Sequence, residues 1–508
     1  MPISTLELNK GLRSDSRTRK NSGQLIQATN LKLTQDNLEP ETVFDDPYNG
    51  GQTVTWPYPQ FFKGKGVTLV ATSATALSSA AELDPWTLTS LTTYDALDPD
   101  TTKAIPVGAS NWQLADFQDT WMLCNSREVV FEGNIFGRIG ETEKVLISDA
   151  VQVTSVCAHK GRGFLAGFST SNFWQDKWSD FWSEATSTLP YQTDTTTNVA
   201  LDQNFVWWTS LAGGDLFALW FPDEMMDGYE GFHQGFQNKV FEMLKRNDFG
   251  YAPMPYQGLV RRVAPLGDHV IAYSNDGIAS LTPTTIGDFN TMGVRLLSDH
   301  GIMTGHAFCA SPKRHIWLDN IGDLWQITPD LQVTRLGYKE YLLDFDNSTA
   351  QQWSYDSQED QFWICDGNEG YILTESGLTQ TMKMPTSAQV VGDDIRAVTD
   401  DANGEFLNTP CPSGQTVIVT DVYDFGERTN KTIRLIEVGT TKPIEVAVDY
   451  RSNTGDFKRS LWKKTDDYGR TYFVVSGVEF RIVLRGDDST QYEYITVEWE
   501  PIQKRRKR

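Results

Sequence analysis

Six histidines are the side chains of this sequence whose chemistry is easiest to recognise, namely His159, His233, His269, His300, His306 and His315. His300 and His306 lie in one glycine-containing loop, where two imidazoles could ligate a metal ion or exchange a proton. No matched cluster of carboxylates accompanies them, so the pattern favours hydrogen-bonded loop residues. His269 and His315 each directly precede an apolar run, and we interpret both as structural.

Carboxylates occur in pairs that could serve general acid–base chemistry: Glu359-Asp360, Asp393-Asp394, Asp400-Asp401, Asp466-Asp467 and Asp487-Asp488. A glycosidase needs only two carboxyl groups across a cleft, so composition alone does not exclude one. The Asp box of propeller hydrolases, S-x-D-x-G-x-x-W in outline, is matched only in fragments by SNDGIASL (274–281) and LDNIGDLW (318–325). The segment DDANGE (400–405) has its oxygen ligands out of register for a calcium loop. We therefore expect solvated turns, no catalytic residue, no metal, no cofactor and no enzymatic activity.

Motifs for nucleophilic, phosphate-binding or zinc chemistry are also missing, since the sequence contains no GxSxG, P-loop or HExxH pattern. The five cysteines are odd in number, scattered and without a CxxC pair, which disfavours a disulfide framework or structural zinc. Cys124 and Cys365 directly follow apolar triplets, where a thiol usually serves as a small core residue.

The composition indicates a folded chain, because 12% of the 508 residues are aromatic. No apolar run approaches the roughly 18 residues that a membrane-spanning helix requires, so we expect no membrane segment. The start, MPISTLELNKGLRSDSRTRK, contains no apolar core of a signal peptide. Synthesis in a reducing cytoplasm fits these features.

The net charge of −23 is unevenly distributed along the chain. Basic residues exceed acidic ones by four within the first 35 residues, and the chain ends in KRRKR. With these nine positive charges set aside, the body carries −32. So acidic a body repels nucleic acid and disfavours sequence-specific binding, whereas the basic ends could contact phosphate or an acidic partner. A charged tail taken alone is most often a solvated end.

A turn-forming corner followed by an apolar strand recurs along the chain, for example in KGKGVTLVAT (63–72), FQDTWMLCNS (117–126) and PKRHIWLDN (312–320). The first apolar residues of the copies, taken as anchors, are 43 to 54 residues apart. These anchors are Val67, Trp121, Phe164, Phe217, Val270, Ile316 and Phe362. Spacing of about 40–50 residues is typical of propeller blades, each a four-stranded antiparallel sheet. One blade cannot bury both of its faces, but a closed ring of blades can.

We therefore predict an all-β fold in which a six- or seven-bladed β-propeller spans residues 51–396. An N-terminal arm, 1–50, precedes it; a linker, 397–413, a small C-terminal β-sandwich, 414–500, and a basic tail, 501–508, follow it. Period-two alternation predicts the sandwich strands, with apolar residues at Ile444, Val446, Val448, Tyr450, Phe480, Ile482, Leu484, Ile495, Val497 and Trp499. Ordinary hairpins within β-sandwiches remain the alternative to the propeller.

One stretch, EGFHQGFQNKVFEMLKRND (230–248), breaks the strand pattern. Its apolar residues Phe232, Phe236, Val240 and Leu244 recur every four positions, which predicts a helical insertion within the propeller. Packing of this helix against a blade is favoured over contact with a neighbouring subunit.

Two segments near the start, LNKGLRSD (8–15) and GQLIQATNL (23–31), carry a resemblance to a known family. They resemble the opening of the tail nozzle proteins of short-tailed bacteriophages, also described as tail tubular or packaged-DNA stabilisation proteins. In that family a glycine-containing opening is followed by an A-x-N segment before the propeller. The closing sequence ITVEWEPIQKRRKR (495–508) is similar to those of phage virion proteins. The N-terminal resemblance covers roughly 30 residues, and the propeller layout extends it loosely over the chain.

The resemblance implies a structural virion protein that forms a homo-oligomeric ring, expected to be a hexamer, in the phage tail. Its partners would be the ring on the adaptor and portal side and the tail fibre proteins, and it would be assembled in the host cytoplasm. Such a nozzle, a head–tail channel, retains packaged DNA and conducts it during ejection, with only non-specific contact to the genomic DNA. An acidic body suits this role, because like charge removes the counterion release that drives adhesion.

The basic residues at both ends are the predicted assembly contacts. We expect an anchoring arm and an assembly tail formed by Arg13, Arg17, Arg19, Lys20, Lys504, Arg505, Arg506, Lys507 and Arg508.

Two other functions remain open from the sequence. One is a tail-associated propeller that binds or hydrolyses surface glycans, since propellers often bind ligands where their blades converge. The other is a cellular propeller scaffold, which the basic ends and the closing β-domain disfavour.

Overall fold

The structure is a computed structural model, and it describes residues 2–15, 20–44, 60–95, 100–105, 111–170, 203–209, 250–343, 345, 353–399 and 406–502, apart from breaks of one to four residues within these ranges. The chain forms two compact units. The first unit comprises Met1–Tyr48, Leu336–Asp401 and Glu405–Arg508, and the second comprises Asn49–Arg335 with Ala402–Gly404. Strands account for 61% of the structure, and the described residues contain one short helix, so the predicted all-β class is confirmed.

The strands follow one another closely along the chain. The N-terminal segment contains β1 (Ile3–Glu7), β2 (Leu25–Thr29), β3 (Leu31–Leu33), β4 (Leu38–Pro40) and β5 (Thr42–Phe44). The next strands, up to the insertion site, are β6 (Gln60–Gly64), β7 (Val67–Ser73), β8 (Ala76–Ala81), β9 (Asp84–Ser90), β10 (Thr93–Asp95), β11 (Asn111–Phe117), β12 (Thr120–Arg127), β13 (Val130–Ile139), β14 (Val145–Ser148), β15 (Val151–Gln152), β16 (Ser155–His159), β17 (Arg162–Ala166), β18 (Ser169–Thr170) and β19 (Phe205–Trp208).

The remaining elements include a single short helix among the described residues. The strands before it are β20 (Gly250–Pro253), β21 (Val260–Leu266), β22 (His269–Ser274), β23 (Ile278–Ile286), β24 (Phe289–Ser298), β25 (Phe308–Ala310), β26 (His315–Leu318), β27 (Leu324–Ile327) and β28 (Val333–Gly337). The helix is α1 (Lys339–Leu342), and it is followed by β29 (Ser354–Asp356), β30 (Gln361–Cys365), β31 (Gly370–Leu373), β32 (Leu378–Thr381), β33 (Pro385–Val391), β34 (Asp394–Thr399), β35 (Phe406–Leu407) and β36 (Pro410–Pro412). The closing strands are β37 (Thr416–Thr420), β38 (Lys431–Thr440), β39 (Glu445–Arg451), β40 (Lys458–Arg459), β41 (Lys463–Lys464), β42 (Arg470–Gly477), β43 (Glu479–Gly486) and β44 (Tyr492–Pro501).

Four-stranded sheets built from strands consecutive in sequence recur through the chain. In the second unit their orders are β6-β7-β8-β9, β14-β13-β12-β11, β16-β17-β19-β20, β21-β22-β23-β24 and β25-β26-β27-β28, with β10 added parallel beside β14. In the first unit β29-β30-β31-β32 has the same form and continues through β2 into a ten-stranded sheet.

The repeat anchors identify these sheets with one exception. Six anchors lie on the second strand of successive sheets: Val67 on β7, Trp121 on β12, Phe164 on β17, Val270 on β22, Ile316 on β26 and Phe362 on β30. The seventh anchor, Phe217, lies outside the described residues, between two strands, β19 and β20, that pair with each other. The described strands therefore form six such sheets rather than seven. The helix predicted at 230–248 also lies outside the described residues.

Consecutive sheets of the second unit bury both of their faces against one another. On β22, Val270 belongs to a core shared with Phe164 of the preceding sheet, whereas its neighbour Ile271 packs with Trp317 of the following one. Tyr273 joins the second core, with its ring centroid 5.6 Å from that of Trp317. Alternate residues thus enter different cores, which explains why these strands are nearly continuous apolar runs.

Buried polar side chains connect the first strands of these sheets. Gln60 on β6 accepts from the backbone N–H of Trp112 on β11 at 3.1 Å. Gln113, also on β11, accepts from the hydroxyl of Ser155 on β16 at 2.6 Å. The Ser155 hydroxyl in turn accepts from the backbone N–H of Val263 on β21 at 2.9 Å. Each bond satisfies a polar group that burial would otherwise leave unpaired.

The first unit contains two large sheets whose buried sides meet. One has the order β3-β4-β44-β38-β42 with β1 also paired to β44, and the other runs from β29 to β40 through β2, β37, β43 and β39. The hydroxyls of Tyr492 on β44 and Thr416 on β37 are 2.7 Å apart across this core. The Phe425 ring stacks on Trp499 of the first sheet and packs against Phe480 of the second.

Residues 1–50, predicted as an arm, contribute strands to these sheets instead of standing apart. The strand β1 pairs with β44 over its full length, and β2 lies between β32 and β37. The reason is burial: Leu6, Leu25, Ala28 and Leu31 are all buried.

Candidate functional site

Two of the four basic residues predicted to form an anchoring arm, Arg13 and Lys20, lie in the described part of the chain. Arg13 donates to both carboxylate oxygens of Glu340, at 2.6 and 2.5 Å, and lies 3.7 Å from Asp421. Lys20 forms an ion pair with the buried carboxylate of Glu479. Both basic side chains therefore contact carboxylates of their own unit, and their assembly role stays a prediction.

The local electrostatics favour these charged states. Burial alone lowers the pKa of the Arg13 guanidinium, but hydrogen bonding and the charge of Glu340 outweigh it and raise the pKa. Burial likewise raises the pKa of Glu479, and the hydrogen bonds from Lys20 and Arg451 reverse this, leaving the pKa below its usual value. Arg451 donates to Glu479 at 2.6 Å. The N-terminal segment is thus tied to the closing strands by bonds that need both partners ionised.

The other predicted assembly residues, Arg17, Arg19, Lys504, Arg505, Arg506, Lys507 and Arg508, lie outside the described residues.

The histidines that precede repeat anchors occupy structural positions. His315 is fully buried, with Nδ1 2.7 Å from the Tyr273 hydroxyl and Nε2 3.0 Å from the Pro265 carbonyl. Burial lowers its pKa to about 3, so the ring is neutral. His269 makes a different contact, within its own sheet, with Nδ1 2.7 Å from the hydroxyl of Thr282 on β23. The structural interpretation of both histidines therefore matches their surroundings.

The fragment LDNIGDLW, considered above as a partial Asp box, forms the turn between β26 and β27, and the Asp319 side chain holds this turn by hydrogen bonds. Asp319 accepts from the backbone N–H groups of Ile321 and Asp323, at 2.8 and 2.9 Å, through Oδ1. Its Oδ2 accepts from the indole N–H of Trp325 at 2.8 Å. The ring of His300 stacks on Trp325 with centroids 4.4 Å apart. The hydrogen bonds of this carboxylate engage both of its oxygens within the hairpin, which is a structural role.

Carboxylates of three other turns behave in the same way. Asp356 accepts from the backbone N–H of Gln358 at 2.8 Å, and Asp466 accepts from that of Tyr468 at 3.0 Å. Hydrogen bonds led by that of the Thr490 hydroxyl lower the pKa of Asp487 to about 2. Each of these carboxylates is engaged by donors of its own turn, which is a structural role.

The described residues contain no reactive thiol and no cluster of metal-ligating side chains. The free thiols of Cys124 and Cys365 are buried, which confirms their interpretation as core residues. Burial raises the pKa of Cys124 to about 12, so the thiolate is not populated. No group of three metal-ligating side chains occurs there. The described part of the chain also has no helix with the length and hydropathy that crossing a bilayer requires.

Arginines and aromatic rings cover the outer side of β39 and β43. Arg451 and Arg481 lie over the Phe457 ring at 4.4 and 4.2 Å from its centroid. Arg485 lies 4.4 Å from the centroid of Trp462, a residue that also packs on Val483 and its buried neighbours. The sequence pattern did not reveal this layer, because its members come from two strands and a loop.

An open groove follows the outer edge of β1. Its volume is about 430 Å³, and four consecutive residues of β1 line it, from Ser4 to Glu7. The opposite wall is formed by Tyr423, Phe425 and Gly426, with the two rings stacked at 6.2 Å. We refer to this feature as the β1 groove. It combines an apolar wall with a strand edge that no other described strand pairs, an arrangement suited to binding an extended chain.

Comparisons with known proteins leave the family open. No protein-family model matches this sequence, and no curated protein matches it. Among solved structures, the chain is similar to PorZ, an essential bacterial surface component of the type-IX secretion system of Porphyromonas gingivalis, at 8% identity and a TM-score of 0.34, over 85% of this chain and 46% of that one. It is also similar to the computationally designed Ika8 protein, at 9% identity and a TM-score of 0.34, over 72% of this chain and 98% of that one. Neither likeness carries an argument about function.

Proposed function

We propose that this chain is a structural virion protein that forms a ring in the tail of a short-tailed phage, where it retains packaged DNA and conducts it during ejection. The observation that carries the proposal is the polar connection between first strands of successive sheets, from Gln60 through Ser155 to Val263. Sheets that pack on both faces and are joined through their first strands fit a β-propeller, the fold of the family that the N-terminal segment resembles. The recurrence of four-stranded sheets in the described chain supports the proposal of a bladed fold.

The charge distribution supports a conduit over a DNA-binding protein. The chain carries −23 overall, and two of its N-terminal cations, Arg13 and Lys20, are already paired with carboxylates. Adhesion of DNA depends on cations that release counterions from the phosphates, and an acidic wall lacks that driving force. Contact with the genome would therefore be non-specific and weak.

The bonds of the turn carboxylates support a structural role over a hydrolytic one. Asp319, Asp356 and Asp487 are each engaged by donors of their own turns. A glycosidase needs a protonated carboxyl group and a carboxylate on either side of its substrate. We accordingly propose no enzymatic activity, with the tail of the virion as the site of action, the adaptor-side ring and tail fibres as partners, and assembly in the host cytoplasm.

Electron microscopy of the purified chain tests the ring, combined with a filter-binding assay on double-stranded DNA. The proposal expects closed rings with a central channel and no retention of DNA at physiological salt. Dispersed monomers, or tight salt-dependent retention of DNA, would contradict it. Turnover of host polysaccharide by the same preparation would favour the glycan-hydrolysing alternative, and glycan binding without turnover would favour a receptor binder.

A further inference from the structure

The sheet that contains β44 ends in β42 on one side. There β44 pairs with β38 and β38 with β42, whereas on its other side β44 pairs with β1 and, farther along, with β4, which pairs with β3. The pairs β1–β44, β44–β38 and β38–β42 are all antiparallel. Among the described strands, none pairs with the outer edge of β1 or of β42. Unpaired edges present rows of N–H and C=O groups that can pair with another chain, and most proteins cover them.

The outward groups of β1 can be identified from its pairing. The backbone N–H of Trp499 donates to the carbonyl of Pro2, and Ile3 lies opposite Glu498. Because donors and acceptors alternate sides along a strand, the backbone groups of Ile3, Thr5 and Glu7 point away from β44. Of these three residues, Thr5 and Glu7 line the β1 groove.

Apolar side chains are exposed at both edges. Ile3 on β1 is 62% exposed, and Tyr472 and Val474 on β42 are 68% and 76% exposed. Side chains of this size and exposure on an edge strand are a recognised mark of intermolecular pairing. The only polar cover described at the β42 edge is Lys463, whose ammonium donates to the carbonyl of Tyr472 at 2.6 Å.

We propose that the occupant of the β1 groove is β42 of a second copy of this chain, so that one sheet continues from subunit to subunit. This inference rests on the proposed ring and names the contact that builds it. Strand direction supports it: β1 and β42 run in opposite senses within the sheet, so an added copy in the same orientation continues the antiparallel alternation. A contact between two different edges is heterologous, which is the type of contact that closes into rings.

The charges at the two edges differ. Beside β1, Glu7 and Glu498 lie on neighbouring strands, and Lys10 also lines the β1 groove. Beside β42, Lys463 and Lys464 form the short strand β41, with the Lys463 ammonium bonded to the Tyr472 carbonyl. Carboxylates at one edge and lysines at the other favour one orientation of the two copies.

Two pairs of variants test the contact. Thr5→Pro removes an outward N–H that β44 does not use, and proline is tolerated at such edge positions; Thr5→Ala keeps the N–H and is its control. Val474→Asp places a charge on the β42 edge, and Val474→Thr is its control. We expect the first variant of each pair to weaken self-association by roughly tenfold or more, measured by sedimentation velocity, and each control to assemble like the wild type.

Mixing the two disrupted variants distinguishes this contact from other ways of assembling. Each of them retains one intact edge, so together they form a one-to-one heterodimer that cannot grow further. Circular dichroism and urea denaturation of each variant establish that it is folded. Rings formed by Thr5→Pro or by Val474→Asp, or the lack of a heterodimer in the mixture, would overturn the proposed contact while leaving the ring itself intact. A wild-type chain that stays monomeric would overturn both the contact and the proposed function.

Discussion

His315 lies fully buried on β26, with both ring nitrogens engaged by groups of the preceding sheet, and this makes stability depend on pH in a defined direction. Burial lowers the pKa of the ring to about 3, whereas an unfolded chain has a histidine pKa of about 6.5. Between these values the unfolded chain binds a proton that the folded chain does not. The stability contributed by neutral His315 is therefore complete above the unfolded pKa and is lost as the pH falls below it.

The size of the effect follows from the two pKa values. Lowering the pH from 7 to 5 costs about 2 kcal/mol of unfolding free energy through His315 alone. This figure depends on the unfolded pKa, because the folded pKa lies well below pH 5. The variant His315→Gln removes the titrating group while its amide can still donate to the Pro265 carbonyl.

Urea denaturation followed by tryptophan fluorescence measures the difference. The unfolding free energies of the wild type and of His315→Gln are compared at pH 7 and pH 5, so that all other titrating groups cancel. We expect the gap between the two proteins to shift by about 2 kcal/mol in favour of the variant at the lower pH. His269→Gln, which replaces a histidine but leaves His315 in place, serves as the control. Equal pH dependence in wild type and His315→Gln would refute the reasoning.

Three further predictions concern turns and the basic tail. Asp319→Ala removes three hydrogen bonds and should lower the unfolding free energy, measured by urea denaturation, by about 3 kcal/mol. Asp319→Asn keeps Oδ1 and should lower it by less than half as much. Equal losses for the two variants would contradict the role assigned to Asp319 in the turn. Gly167→Ala would place a Cβ 2.0 Å from the Thr154 hydroxyl at positive φ and should lower the unfolding free energy by more than about 3 kcal/mol. Gly426 also has positive φ but open space around it, so Gly426→Ala should lower the unfolding free energy by about 1 kcal/mol. Similar melting temperatures for the two variants would argue against the close packing at Gly167. Deleting residues 504–508 should reduce ring or virion incorporation without changing the melting temperature, and unchanged incorporation would rule out an assembly tail.

The sequence predicted the repeated sheets because their second strands are strongly apolar. The strands that begin at or contain Val67, Phe164 and Phe362 are largely buried on both faces. Their residues are therefore apolar over most of the strand, and such runs can be recognised from one sequence. Phe217 was placed in the same series because the corner AGGD precedes an apolar run. In sequence it falls between β19 and β20, which pair with each other, and spacing alone does not separate an insertion within one sheet from a further sheet.

Alternation also located the buried faces of the closing strands. Nine of the ten residues predicted to face a core are buried, and the tenth, Tyr450, is half-buried. The short N-terminal strands were missed, since three to five residues give too little periodicity to distinguish them from a loop. Their burial depends on partners such as β37 and β44, nearly 400 residues or more away in the sequence.

The functional contacts were the least accessible to sequence patterns. Arg13 and Lys20 were predicted from composition, but their partners Glu340 and Glu479 are distant in the chain and become neighbours only in the folded unit. The free edges of β1 and β42 are defined by which strands do not pair, and no local signal encodes that.

The most direct measurement is a cryo-electron microscopy map of the purified assembly. The account expects a closed ring of identical subunits, each containing four-stranded sheets arranged around one axis, with β42 of every subunit paired to β1 of the next. A map of isolated subunits, or one in which the four-stranded sheets form separate stacked sandwiches, would contradict it.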